Sequence, residues 1–576
     1  MDPNDSNEVA CAAEPATGRE YQASEDESAL YYYGLPSSPR LVSRSDGGSV
    51  EWMVRIQDQH YVEKEIMPID PSSCLSDWEE TLWPGFHQIL ESGPAREFWN
   101  CVDVLKMGTR GGTDTAIVIW IGVEAGPGGK EISCREGFSV CCRGHEFLES
   151  QIGHMNMANI RVEMRRTAVI GSTPSNSELS PTTESAGQGL SIMKPVPTLP
   201  FDHESIIGTH GTHHVGNSIS VKGCRNRVAT SGAYLTIDDD SGSQGTKPTY
   251  MLISHHAAFS HDEATVDPTG NSKTAPVEVT MPATATITQL KKAVADQLQS
   301  ARNKEQRSER GNQSAIERIH HRIDKLNKDR ESLEAMESER SRVIGSVVFA
   351  PVRKPMLEEP EGIPAKPQCY WLPDFALVKI QGGRINQANL SNDVFVGGVR
   401  SGEIANVNEA ASNEAEFGQK PLRFEPDAHT PFYPLKTREF VSRSELQSGS
   451  LFVGKRGSTT AVTFGCANPL RSVIRLRRDE DGKEERPFDQ PLFQHCILSC
   501  RNPRYEELFR GNVFSTAGDA GSLVWSLDGR IVGMLDGGAG MTRADGDMVP
   551  DTTYVTPMAS IMGLIRKEFN AQIMLI

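Results

Sequence analysis

Gly518-Asp519-Ala520-Gly521-Ser522 constrains this chain more than any other stretch. It lies between a polar turn, Phe514-Ser515-Thr516-Ala517, and the apolar runs Leu523-Val524-Trp525 and Ile531-Val532-Gly533-Met534-Leu535. Glycine tolerates backbone dihedrals that other residues resist, so small residues here let the chain turn sharply and aim successive N–H groups into one hollow. A hollow of that kind suits a developing oxyanion in acyl transfer. Ala520 itself carries no group able to attack.

The surroundings limit what else the chain does. A net charge of −17 disfavours unspecific binding to nucleic acid or to anionic membrane, so neither is expected as a partner. The longest apolar run, Thr115 to Val123, is too short for a membrane span, and the acidic N-terminal residues show no secretory signal. Eleven scattered cysteines fit reduced thiols in the cytoplasm or nucleus better than a disulfide framework.

Residues 1–48 are rich in Ser, Asp, Glu and Pro and are expected to be a disordered tail, with Tyr31-Tyr32-Tyr33 as a sticky patch or docking motif. Residues 49–171 read as a small α/β domain. Its expected strands include Trp52 to Ile56, Val102 to Leu105, Ala116 to Val123 and an exposed-edge strand from Ile160 to Ile170. Helices are expected after Ser76-Asp77 and over Glu136 to Ile152. Its glycine-rich pieces lack the Lys-Ser/Thr of a phosphate loop and read as hairpin turns. Cys141-Cys142 has no second pair at ligand spacing, and His210, His213 and His214 lack a fourth ligand, so no metal and no cofactor are expected. Residues 172–204 are a Ser/Thr/Pro-rich linker.

From Ala229 the pattern turns to short strands. Tyr250-Met251-Leu252-Ile253 runs into Ser254-His255-His256-Ala257, where a histidine is either a satisfied core residue or an acid/base group. Residues 285–343 read as an inserted helical hairpin, with Leu290, Val294 and Leu298 on one face and Ile316, Ile319, Ile323, Leu326 and Leu333 on another. It either offers a surface to a partner or is a surface insertion. Asp374 stands just before the alternating strand Phe375 to Ile380. Residues 402–440 are polar and read as a connection, after which strands resume and Pro557 to Phe569 forms a terminal helix.

Taken together these segments resemble the chymotrypsin/trypsin-like serine peptidases. The carriers are a strand running into His256, Asp374 before an alternating strand, and the Gly-Asp-x-Gly loop, in the family's order. The resemblance spans residues 205–576 and implies an α+β multidomain chain: a chymotrypsin-like double β-barrel with the inserted hairpin, preceded by the small α/β domain. It implies His256 as general base, with His255 in its place if the register slips by one. Asp374 becomes the orienting acid, and the N–H groups of Gly518 and Ala520 the oxyanion hole. Phe514 falls on the floor of the primary specificity pocket, with Asp536 and Gly538 along its wall, which implies an apolar preference. The family's nucleophile serine falls on Ala520. The chain is then either a pseudo-peptidase that binds a polypeptide or protein partner, or a variant of an active endopeptidase. Ser522 faces the interior in the resembling loop. Asp536 stands where the family has serine, and a carboxylate near Asp374 raises the pKa of one of the two.

Overall fold

The computed structural model describes residues 21–47, 52, 56–57, 60–170, 214–224, 228–238, 247–259, 266–267, 276–308, 313–357, 369–382, 390–397, 399, 401–414, 422–427, 430–449, 451–475, 490–499, 513–542 and 548–576. The linker 172–204, His210, His213, the turn expected at Arg310-Gly311-Asn312 and most of the strand expected at Trp52 to Ile56 fall outside them.

Residues 21–47 correct the expected tail. Helix α1 (Glu25–Leu30), capped by the Ser24 side chain, leads to strand β1 (Leu41–Arg44), all four of whose residues are buried. The Tyr31 and Tyr32 hydroxyls both donate to Glu163, at 2.8 Å each, so these rings are core. The polar composition misled because here a few aromatics cover one carboxylate, and desolvation is offset by two hydrogen bonds.

The strands that follow in the N-terminal part are β2 (Lys64–Met67), β3 (Trp99–Thr109), β4 (Thr115–Val123), β5 (Ile160–Arg166) and β6 (Ala168–Ile170). β3 and β4 pair antiparallel, whereas β4 and β5 pair parallel through helix α2 (Cys134–Ile152), whose start is closed by a Ser133–Glu136 capping box. The near-continuous apolar run of β4 reflects burial on both faces. β5 is not the expected edge strand, because β1 from the supposed tail pairs along its other side.

The first C-terminal sheet is built from β7 (Ser218–Val221), β8 (Ala229–Thr230), β9 (Tyr234–Asp238), β10 (Thr249–Ile253), β11 (Glu278–Thr280), β12 (Val343–Phe349) and β13 (Ala376–Ile380). Between β11 and β12 stand helices α3 (Thr284–Ser308) and α4 (Gln313–Ala335). Ile287, Val294, Leu298, Ala301, Leu326 and Leu333 form the hairpin's own buried core, while Ile316 and Ile319 stay half-exposed. The polar stretch after residue 400 holds helix α5 (Ser401–Glu414), which the sequence pattern did not announce; Val407 and Ala411 anchor it to the main core.

The second sheet comprises β14 (Phe452–Gly457), β15 (Ala461–Ala467), β16 (Ser472–Ile474), β17 (Leu492–Ser499), β18 (Leu523–Ser526), β19 (Arg530–Thr542) and β20 (Met548–Pro557). Pairing runs β17-β15-β14-β18-β19-β20 and back to β17, a closed six-stranded barrel. The first sheet is a half-barrel in the order β8-β7-β11-β12-β13-β10-β9, completed by β21 (Gln572–Leu575) after helix α6 (Met558–Phe569). The architecture is therefore mixed helix and strand with one closed barrel and one half-barrel.

The N-terminal sheet is not set apart from the barrel. β16 pairs both with β3 and with β17, so hydrogen bonding is continuous from β1 into the barrel wall. At this seam Arg165 is fully buried. Its guanidinium reaches Asp103 and Asp551 at 2.9 Å each and lies 3.2 Å from the Trp120 ring centroid. Asp551 also accepts from the Ser37 N–H at 2.8 Å. Burial pushes both carboxyls up against the pull of Arg165. Removing the cation strands two buried acids, so Arg165→Met is expected to cost about 3–5 kcal/mol in urea unfolding. Adding Asp103→Asn and Asp551→Asn should recover much of that loss; an unchanged urea midpoint for Arg165→Met would contradict the ion pairs' role.

Candidate active site

Strand register brings the histidine and the acid together. β10 and β13 are antiparallel neighbours with Ile253 opposite Ala376, so the residues just after β10 lie beside those just before β13. The chain leaves β10 into a single helical turn, His255–Ala258. The His256 N–H donates to Asp374 Oδ1 at 3.0 Å, and His256 Nδ1 meets Asp374 Oδ2 at 2.5 Å. His255 is instead buried, its ring 5.0 Å from Phe259, so the alternative register is not the one adopted.

Asp374 is 2 % exposed at its side chain and His256 17 %. Burial alone would raise the Asp374 carboxyl, but the charges of His256 and Arg353 and the His256 hydrogen bond outweigh it and hold the group well below the usual range. An ionised acceptor fixes the proton on Nδ1 and leaves Nε2 as the proton acceptor. Arg353, itself buried, stands 3.4 Å from Asp374 Oδ1. No sequence signal marked this arginine.

The loop turns at Gly518 (φ +96°) and Gly521 (φ +92°), the left-handed region where glycine is favoured. A Cβ at Gly518 would lie 2.4 Å from Thr459 Oγ1, and one at Gly521 2.4 Å from the Thr230 carbonyl. The same Gly521 position is 3.4 Å from the Ser254 nitrogen, so the loop abuts the segment that carries His256. Asp519 is wholly buried and accepts from the Thr459, Thr460 and Thr516 N–H groups, at 2.9, 3.2 and 3.1 Å, and from Lys455 Nζ at 2.8 Å. Burial lowers the Lys455 ammonium, and the Asp519 charge works against that. A lysine inside the strand Phe452-Val453-Gly454-Lys455 was the available hint, since a charge in an apolar run needs a buried partner.

The carbonyls of Gly518 and Ala520 are occupied. Gly518 accepts from the Thr230 and Ser458 hydroxyls at 2.8 Å each, and Ala520 from the Thr230 N–H at 2.9 Å. By contrast, the N–H groups of Gly518 and Ala520 donate to nothing among the described residues. The Ala520 methyl rests against the cluster of Val453, Phe514 and Val524. Ser522 is buried with its hydroxyl donating to the Asp519 carbonyl at 2.5 Å.

Phe514 is buried in that same cluster, 5.9 Å from Lys455 Nζ, and Gly538 lies in the β19 ladder. Asp536 sits at a bulge, where the register skips between Leu535 and Gly537, and its Oδ2 accepts from the Thr556 hydroxyl. Its Oδ1 has no hydrogen-bond partner among the described residues. Burial first, and then the charge on Asp374, push the Asp536 carboxyl well above its ordinary range. The two acids thus divide: Asp374 carries the charge and Asp536 keeps its proton. No family model and no curated protein matches this sequence.

Between the ordinary carboxylate range and its raised folded value, Asp536 retains a proton that the unfolded chain gives up. Native stability therefore falls as pH rises through that window. Asp536→Asn is expected to raise stability at pH 7.5, since the amide has no proton to give up in the unfolded chain. At pH 3.5 the gain should vanish. Equal melting temperatures for the two proteins at pH 7.5 would rule out the division of roles between the acids.

Proposed function

We propose that this chain is built on the scaffold of a chymotrypsin/trypsin-like serine endopeptidase and that, with Ala520 at the nucleophile position, it holds a polypeptide without cutting it. One observation carries the reading: a bidentate His256–Asp374 pair abuts a glycine turn with two undonated N–H groups, and a methyl group stands in the middle of that turn.

A serine in place of Ala520 would complete acyl transfer. Its Oγ would attack a peptide carbonyl while His256 Nε2 took the proton, and Asp374 would stabilise the imidazolium through Nδ1–H. The main-chain N–H groups at positions 518 and 520 would hold the oxyanion, with Asp519 fixing their direction. Without the hydroxyl, only about 10³–10⁴-fold over water remains from the hole and from binding, which is negligible beside an intact enzyme. Binding to the crevice survives, because neither the N–H groups nor the strand edge beside them depends on Oγ.

Ala520→Ser tests this. The variant is expected to take up a fluorophosphonate at the introduced hydroxyl, and the labelling is expected to be abolished by His256→Ala. A folded Ala520→Ser protein that is never labelled would refute the endopeptidase scaffold.

A further inference from the structure

The long strand β19 has two edges. One is paired with β20 along its length, from Gly533 opposite Pro557 to Thr542 opposite Met548. The other is taken by β18 only as far as Met534, which lies opposite Leu523. Beyond it the Leu535 N–H donates to the Ser522 carbonyl at 2.9 Å, and the edge is then free of the barrel's own strands. Two residues past Asp536 it is occupied by β6: Ile170 lies opposite Gly538, Val169 opposite Ala539 and Ala168 opposite Gly540, all antiparallel.

This strand comes from the N-terminal part of the chain and is not needed to close the barrel. It is anchored one residue earlier. Thr167 donates its hydroxyl to the Gly540 carbonyl at 2.9 Å and its N–H to Val123, while its carbonyl accepts from Asn100 Nδ2. Val169 leans on a cluster that includes Leu372, Ala539 and Tyr554. The direction matters as much as the pairing. β6 runs so that its C-terminal residue is the one nearest Asp536, and through it the His256–Asp374 pair.

We propose that the chain's own Ala168-Val169-Ile170 acts as a built-in competitor, holding the β19 edge at Gly538–Gly540 against an extended polypeptide that would dock there. The inference rests on the polypeptide-holding function proposed above. Strand addition at an edge draws its affinity from main-chain hydrogen bonds, so an intramolecular strand and an incoming peptide use the same groups. A tethered strand acts at an effective concentration of about millimolar, so a free peptide of micromolar affinity is displaced. The N-terminal part of the chain thereby masks the edge through which a substrate-like segment would enter.

The test uses the full chain and a fluorescein-labelled peptide with the sequence of residues 164–170, Met-Arg-Arg-Thr-Ala-Val-Ile, read by anisotropy in 150 mM salt. Val169→Pro disrupts the extended pairing of the resident strand. It should bind the peptide at least tenfold more tightly than the parent, and a peptide with proline in place of its valine should not bind. Where Val169→Pro melts more than 10 °C below the parent, Val169→Gly is used, with at least a threefold gain expected. Equal affinity of parent and variants, or binding by none, overturns the proposal. Fluorophosphonate labelling of Ala520→Ser does not involve the edge. Labelling without a peptide gain therefore defeats the docking edge alone, and a peptide gain without labelling defeats the peptidase scaffold alone.

Discussion

The buried pair of Lys455 and Asp519 is the interaction on which the path of the glycine loop depends. A carboxylate cannot sit uncompensated at zero exposure, and the lysine on β14 is the cation that permits it. Held there, Asp519 gathers the N–H groups of Thr459, Thr460 and Thr516, which fixes the path of the turn on either side. On either side of the inward-pulled Asp519, the Gly518 and Ala520 N–H groups donate to nothing among the described residues. The pair fixes geometry at a cost in desolvation, and the two positive-φ glycines are the local expression of the same constraint.

A second constraint governs the other wall. Asp374 and Asp536 both lie in the interior, and two carboxylates close together cannot both ionise there. Arg353 and His256 bias the charge to Asp374, while the bulge that aims Asp536 inward leaves it the proton. A serine in that place would offer a hydroxyl without a titration. An aspartic acid makes the histidine's surroundings sensitive to whether one proton is present, a feature that composition and spacing alone do not display.

What the sequence displayed was local. His256 ends a strand, Asp374 begins one, and glycines bracket the loop; each is a short-range signal whose physical meaning does not require the rest of the fold. The half-barrel's strands and the hairpin's apolar faces were legible for the same reason, through period-two and heptad-like spacing. The failures were all long-range. Tyr31 and Tyr32 are core only because Glu163 comes to meet them, β5 is interior only because β1 covers it, and the N-terminal sheet is continuous with the barrel only through β16. Arg353 and Lys455 were missed because a charged residue's partner lies far away in the chain. Helix α5 was hidden in a polar stretch where two apolar side chains suffice to anchor it.

The strand β21 follows the whole closed barrel in sequence yet completes the half-barrel, pairing Leu575 with Leu235 through Gln572 with Asp238. The half-barrel is therefore finished by chain that follows the closed barrel: the two are not separable modules, and a hinge that opened the two sheets would have to peel this strand away. Relative motion between the two sheets is limited by that cross-stitch.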